Sequence, residues 1–189
     1  PLSGPNDIVF DADGGFWFTD LGKIRDRATD HGGLYYAKPD GSGIRCAVYG
    51  PNMNGVSLSP DGRTVYTALT MERTLLAFDI TGPGEVAPSP LAALPGRVVT
   101  AFAGHILLDS LAVDADGHIC VATIAGRPGI ASVDAGTGAQ AWRDFPDLVT
   151  TNICFGGADM RDAWVTLSST GRLAKTRWDR PGLKLAHYG

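Results

Sequence analysis

Apolar and polar positions change places in a pattern that returns four times along the chain. Residues 6–14 read NDIVFDADG and are followed by FWFTD at 16–20. Residues 54–62 read NGVSLSPDG, followed by TVYTA at 64–68. Residues 109–117 read DSLAVDADG, followed by HICVA at 118–122. Residues 152–159 read NICFGGAD, followed by AWVTL at 163–167. Ile8 and Phe10 alternate with Val9, and Val56 and Leu58 with Ser57, as in strands with two unlike faces. Between the paired runs stands Asp-Gly in the first three copies, a strong hairpin signal. In the fourth stands Asp159-Met-Arg-Asp, a longer turn. Each unit therefore predicts two antiparallel strands, with room for two more.

The further strands fall at 34–37 and 45–49 in the first unit, and at 74–79 with a faint one at 90–94 in the second. They fall at 129–133 and 139–143 in the third, and at 172–178 and 183–186 in the fourth. Successive units begin 48, 55 and 43 residues apart. Four-stranded units at this period mark a β-propeller. The expected fold is all-β, one domain over 1–189, with blades near 6–50, 54–95, 109–146 and 152–189. Residues 21–31, with Lys23, Arg25, Asp26, Arg27 and Asp30, and residues 95–108 read as long polar loops, of a length often tied to function.

Composition narrows the class. Of 189 residues, 44% are hydrophobic and 19% charged, enough apolar surface to offset chain entropy. Gly 25 and Pro 12 together suit many short strands and turns. No apolar run reaches the ~18–20 residues of a membrane-spanning helix. A net charge of −4 leaves no basic footprint for nucleic acid and no polybasic membrane patch. Three scattered cysteines make neither a disulfide framework nor a zinc ribbon, which leans the expectation towards the cytoplasm. Cys120 and Cys154 read as buried small hydrophobes; Cys46 has no evident partner. The start, Pro1-Leu2-Ser3-Gly4, carries no signal-peptide pattern and reads as an interior segment of a longer protein.

In all four units an Asn or Asp stands seven residues before the turn Asp: Asn6, Asn54, Asp109 and Asn152. The first strand of a propeller blade lines the central channel, so four such residues in register would meet at one mouth. Their oxygens are hard ligands suited to calcium or magnesium, and the lack of His and Cys beside them argues against zinc or copper. The plainer alternative is turn chemistry: Asn54-Gly55 alone would pass for a tight turn. His31, His105, His118 and His187 share no spacing and read as surface or packing residues. The Asp-x-Asp-Gly pieces lack the downstream Glu of a calcium loop and read as hairpin turns. No Gly-x-Ser-x-Gly, His-Glu-x-x-His or phosphate-loop motif is present.

The runs GPNDIVF at 4–10, NGVSLSPDG at 54–62, DSLAVD at 109–114 and TNICFGG at 151–157 resemble the gluconolactonase/regucalcin (senescence marker protein) family across essentially the whole chain. FTD at 18–20 with GGLYY at 32–36 is more similar to its drug-responsive lactonase branch. The resemblance implies a six-bladed propeller, of which four blades are present here. It implies a divalent metal, usually calcium, in the channel, and hydrolysis of a small-molecule lactone or ester; the related diisopropyl fluorophosphatase hydrolyses phosphofluoridates. It puts metal ligands on Asn54, of an Asn-Gly pair, and on Asp109, of an Asp-Ser pair, with Asp109 also catalytic. Asn6 falls beside the metal, as a ligand or facing substrate. Asn152 and Ser110 are further pocket candidates, although Asn152 is not usually a ligand in the family. A third ligand, a first-blade Glu, has no counterpart here, and this isolated chain is expected to be inactive. Gly4 stands where sugar-lactone members carry Arg, which favours an uncharged or different lactone. The rival class is a non-enzymatic propeller. FWFTD is also similar to the Tyr-Trp-Thr-Asp repeats of receptor propellers, and four blades can close as a small hemopexin-like ring.

Overall fold

The computed structural model describes residues 2–187, and among them there is no helix. The first blade has the order β1 (Pro5–Phe10), β2 (Phe16–Asp20), β5 (Gly32–Ala37), β6 (Arg45–Gly50). A short hairpin, β3 (Ile24–Arg25) with β4 (Ala28–Thr29), rises between β2 and β5, inside the segment read as a long polar loop. The second blade is built on β7 (Met53–Leu58), β8 (Thr64–Leu69) and β9 (Thr74–Gly82). Both β10 (Glu85–Val86) and β11 (Arg97–Ala101) pair with β9. The third is β12 (Leu108–Val113), β13 (Ile119–Thr123), β14 (Gly129–Val133) and β15 (Gln140–Asp144). The fourth is β16 (Thr150–Gly156), β17 (Asp162–Leu167) and β18 (Arg172–Arg177). Every pairing within the blades is antiparallel, as the hairpin signals require.

The blades hold together face to face. Val9, Trp17, Leu34 and Tyr36 of the first blade pack on Met53, Val65 and Leu69 of the second. Tyr66, Ala68 and Leu75 on the other side of the second blade meet Leu108, Leu111 and Val121 of the third. Cys120, Ala122 and Ile130 on the third blade's far side meet Ile153, Ala163 and Val165 of the fourth. Because successive residues of a strand point to opposite faces, a strand held between two neighbours must be apolar on both. That is why β8 and β13 read as almost unbroken apolar runs. In β1 only Val9 is buried; Ile8 and Phe10, 50% and 36% exposed, lie on the blade's open side.

The Asp-Gly pairs are hairpin turns. Gly14, Gly62 and Gly117 take left-handed φ values of 82°, 67° and 88°. Asp11 and Asp114 cap their turns by accepting backbone N–H groups across the hairpin.

Two expected strands are absent. Residues 90–94 form turns and bends; the outer strand of the second blade lies at Arg97–Ala101 instead, within the presumed loop 95–108. Residues 183–186 do not pair as a fourth strand. They pass beneath the channel, with Leu183 N donating to Val113 O at 3.0 Å, and the Arg180 guanidinium binds the fully buried Asp114. Cys120 is buried as expected, but Cys154 is exposed, on the side of β16 turned away from the third blade.

Candidate active site at the channel mouth

Strands β1, β7, β12 and β16 line a central cavity of about 190 Å³, bounded by Asp7, Val56, Leu111, Asn152 and Ile153 and floored by Leu183 and Leu185. All four strands bulge near their start, with two residues standing against one on the neighbouring strand. Asn6 and Asp7 lie between the pairs Pro5↔Asp20 and Ile8↔Phe18, opposite Thr19. Asn54 and Gly55 lie opposite Ala68, between Met53↔Leu69 and Val56↔Thr67. Asp109 and Ser110 lie opposite Ala122, between Leu108↔Thr123 and Leu111↔Val121. Thr151 and Asn152 stand against Thr166, with Asn152↔Thr166 paired and Thr151 inserted after Thr150↔Leu167. Bulges of this kind bend the strand and re-aim side chains. Asn54-Gly55 is therefore a bulge within a strand and not a tight turn.

The register corrects one alignment. Asn6, Asn54 and Asp109 hold the first bulge position, but the fourth blade has Thr151 there. Asn152 holds the second, with Asp7, Gly55 and Ser110. The pair Gly156↔Asp162 lengthens the fourth hairpin by one residue, so counting seven back from its turn stops one residue short. Side-chain bonding agrees. Asp7 Oδ1 accepts Ile8 N at 2.9 Å, and Asn152 Oδ1 accepts Ile153 N at 2.7 Å.

Asn54 is 4% exposed. Its Nδ2 donates to Thr70 Oγ1 at 3.0 Å, while Oδ1 is buried without a partner. A buried amide oxygen left unpaired is costly, which makes the atom a candidate ligand. Its main-chain carbonyl accepts the Thr19 hydroxyl, and Thr19 Oγ1 accepts Asp7 N at 3.1 Å. Gly55 is required by crowding: a Cβ there would stand 2.7 Å from Leu111 N and 2.8 Å from Asp109 O. This close approach brings Asn54 and Asp109 together on neighbouring strands.

Asp109 is half-buried. Burial pushes its pKa up; the Asn54 side chain and Ser110 N pull the other way, and the charge of Asp7 raises it further. Asp7 is the residue that the sequence argument passed over, although it adjoins Asn6. Its Oδ2 accepts Val56 N at 3.2 Å, and Ser110 and Leu111 also bond to it, so one carboxylate ties together three channel-lining strands. Burial raises its pKa against these hydrogen bonds. Thr70 carried no sequence signal at all. It also borders a cavity of about 630 Å³ shared with Leu21, Ile24, Thr29 and Met71, under the β3–β4 hairpin.

The structure brings together Asn54, Asp109 and Ser110, with Asp7 beneath them. Asn6 is exposed and borders an apolar groove of Ile8, Phe16, Phe18 and Ile44; register alone joins it to the others. Asn152 lines the far wall of the cavity. Among the described residues no three or more His, Cys, Asp or Glu gather as a metal cluster. The donor set that fits a cation is the orphaned amide oxygen of Asn54 with the neighbouring Asp109 carboxylate, both hard oxygens.

Residues 1–169 match the family described as SMP-30/Gluconolactonase/LRE-like region. Lactonase drp35 of Staphylococcus saprophyticus is 35% identical over 119 residues, which are 62% of this chain and 35% of that protein. The chain thus matches about a third of the length of such curated relatives. A solved putative gluconolactonase superposes with a TM-score of 0.75 at 22% identity, covering 97% of this chain and 61% of the other. Regucalcin of Agrobacterium tumefaciens, described as a calcium-binding protein, gives 0.69 at 22% identity, covering 96% and 65%. These two likenesses carry the propeller fold. No helix among the described residues is long and apolar enough to cross a membrane.

Proposed function

The chain belongs to the SMP-30/gluconolactonase/LRE-like family, and from that premise we propose that it carries the channel-mouth half of a calcium-dependent lactone hydrolase. The observation that carries the reading is the buried, unpartnered Oδ1 of Asn54 beside the half-buried carboxylate of Asp109. Those two residues would hold the cation. A bound divalent cation supplies Lewis-acid polarisation of the ester carbonyl. The proposal extends to the whole protein; by the family resemblance a Glu completes the ligand set, and this chain alone is expected to turn over little.

Asp109 acts on protons. Without a cation, burial and the charge of Asp7 raise its pKa; its role as base rests on its place beside the attacking water. It takes a proton from the attacking water; the carbonyl carbon gains the hydroxyl, the ring C–O bond breaks, and the proton passes to the leaving alkoxide. The product is the open hydroxy acid. Asn152 lines the cavity and would contact the substrate, as would Ser110 beside Asp109 and Asn6 from the first bulge position. The apolar walls, Val56, Leu111 and Ile153, suit an uncharged lactone better than a sugar acid.

Acid release from simple γ- and δ-lactones tests the reading, with the whole protein in excess calcium, after chelation, and as Asp109→Asn. The proposal expects hydrolysis to require calcium and to fall at least 100-fold in Asp109→Asn. Turnover that survives both treatments would contradict it.

A further inference from the structure

We infer that Thr70 is a positioning residue for the cation site: its hydroxyl holds the Asn54 amide with Oδ1, and not Nδ2, offered to the cation. The inference rests on the proposed role of Asn54.

The main chain at Asn54 is fixed on three sides. Thr19 donates its hydroxyl to the Asn54 carbonyl. Asp7 accepts Val56 N two residues on. Gly55 lies against the backbone of Asp109, Ser110 and Leu111. What remains free is rotation of the amide itself. An amide has a donor end and an acceptor end, and the two are nearly the same size. A cation accepts only the oxygen. Something must therefore decide which end faces the mouth.

Two groups can hold Nδ2. One is Asp109, whose ionised carboxylate only accepts hydrogen bonds. Gly55 lies against the backbone of Asp109 and Leu111, which sets the Asn54 side chain beside Asp109. A cation on Asp109 competes for the same lone pairs. Thr70 Oγ1, at 3.0 Å from Nδ2, is then the acceptor that keeps the donor end turned away. Thr70 is itself held. It opens a turn closed by Arg73 N to Thr70 O at 3.3 Å, with Arg73 at a left-handed φ of 56°. Phe102 N donates to Arg73 O at 2.8 Å and pins that turn to the start of the connection into the third blade. Removing the hydroxyl would take from Nδ2 the acceptor that fixes its orientation and let the amide turn Oδ1 away from the mouth.

The test is calcium titration of the 189-residue chain followed by NMR, reading the Asn54 side-chain amide pair, for wild type, Thr70→Val and Thr70→Ser. Valine keeps the shape and removes the hydroxyl; serine keeps the hydroxyl. Loss of such an outer partner typically weakens metal binding 10–100-fold. Thr70→Val is expected to raise the calcium dissociation constant at least tenfold and to shift the Asn54 amide signals before calcium is added. Thr70→Ser should stay within about threefold of wild type, by the same reasoning. Melting temperatures of the three proteins establish that all are folded. Equal affinities for wild type and a folded Thr70→Val would overturn the inference and leave the Asn54 reading standing. No calcium-dependent shift at Asn54 in wild type would overturn both. Should Thr70→Val fail to fold, Thr70→Ala takes its place, with the same outcomes.

Discussion

Asp20 and Asp147 do matching work at the mouth ends of the first and fourth blades. Asp20 accepts the backbone N–H groups of Ser3, Gly4 and Gly22 at 2.7–2.8 Å. Asp147, 6% exposed, accepts those of Val149, Ser169 and Thr170, and the Thr170 hydroxyl at 2.6 Å. Each carboxylate gathers loop amides that no strand satisfies. Burial pushes the Asp147 pKa up, but the hydrogen bonds from Thr170, Ser169 and Val149 outweigh it and hold the carboxyl well below the usual carboxylate range. A lowered folded pKa means that the stabilisation is present above the unfolded value of about 3.9 and is lost as pH falls through the folded one. Thermal unfolding should therefore show Asp147→Ala less stable than wild type at pH 7, with the gap closing progressively below pH 4. A gap that stays constant with pH would show that the charge contributes nothing. At this scale the sequence was informative only where a residue adjoins a distinctive neighbour. Asn54 and Asp109 stand out beside Gly55 and Ser110. Nothing in Thr70-Met71-Glu72-Arg73 marks Thr70, whose role comes from a neighbouring strand in space.

The bulge is the element that makes the site. It recurs at the start of every channel-lining strand, and in the second blade it depends on the absence of a side chain at Gly55. Gly55→Ala would press a methyl against three backbone atoms of β12, which cannot rotate aside. The expected cost is about 2–3 kcal/mol in urea denaturation, in the range of overpacking changes, together with weaker calcium binding. Stability unchanged within about 0.5 kcal/mol would show that the strands can part without strain. Strands sandwiched between blades were legible because burial on both faces demands apolar runs. The outer strand Arg97–Ala101 was not, since it is largely exposed and shows no apolar face. Leu91 to Leu94 misled because they are apolar yet lie between Pro90 and Pro95, which break pairing. Leu183 and Leu185 are apolar because they floor the channel, not because they pair. The one-residue offset at Asn152 has the same origin: periodicity locates a strand, whereas its register depends on hairpin length.

At the scale of the whole molecule, four blades stack through three apolar interfaces, and their first strands converge on one cavity. The two outward sides differ. The first blade presents Ile8, Phe10 and Ile44, exposed and apolar. The fourth presents Asp162 paired with Lys175 and Arg177, with Lys175 over the Trp164 ring. The propeller and the family were readable from four repeated motifs, because a repeat of this length has few structural solutions. Of the proposed ligand set, two members lie on these strands and the third does not, so the sequence offers only those two as candidates. The central claim is that Asn54 and Asp109 bind a divalent cation at the channel mouth. Calorimetric titration of the metal-stripped chain with calcium, for wild type and Asp109→Asn, tests it most directly. The account predicts saturable binding of one calcium per chain that weakens at least tenfold in Asp109→Asn while the protein stays folded. Calcium binding of equal strength in the two proteins, or none in wild type, would contradict it.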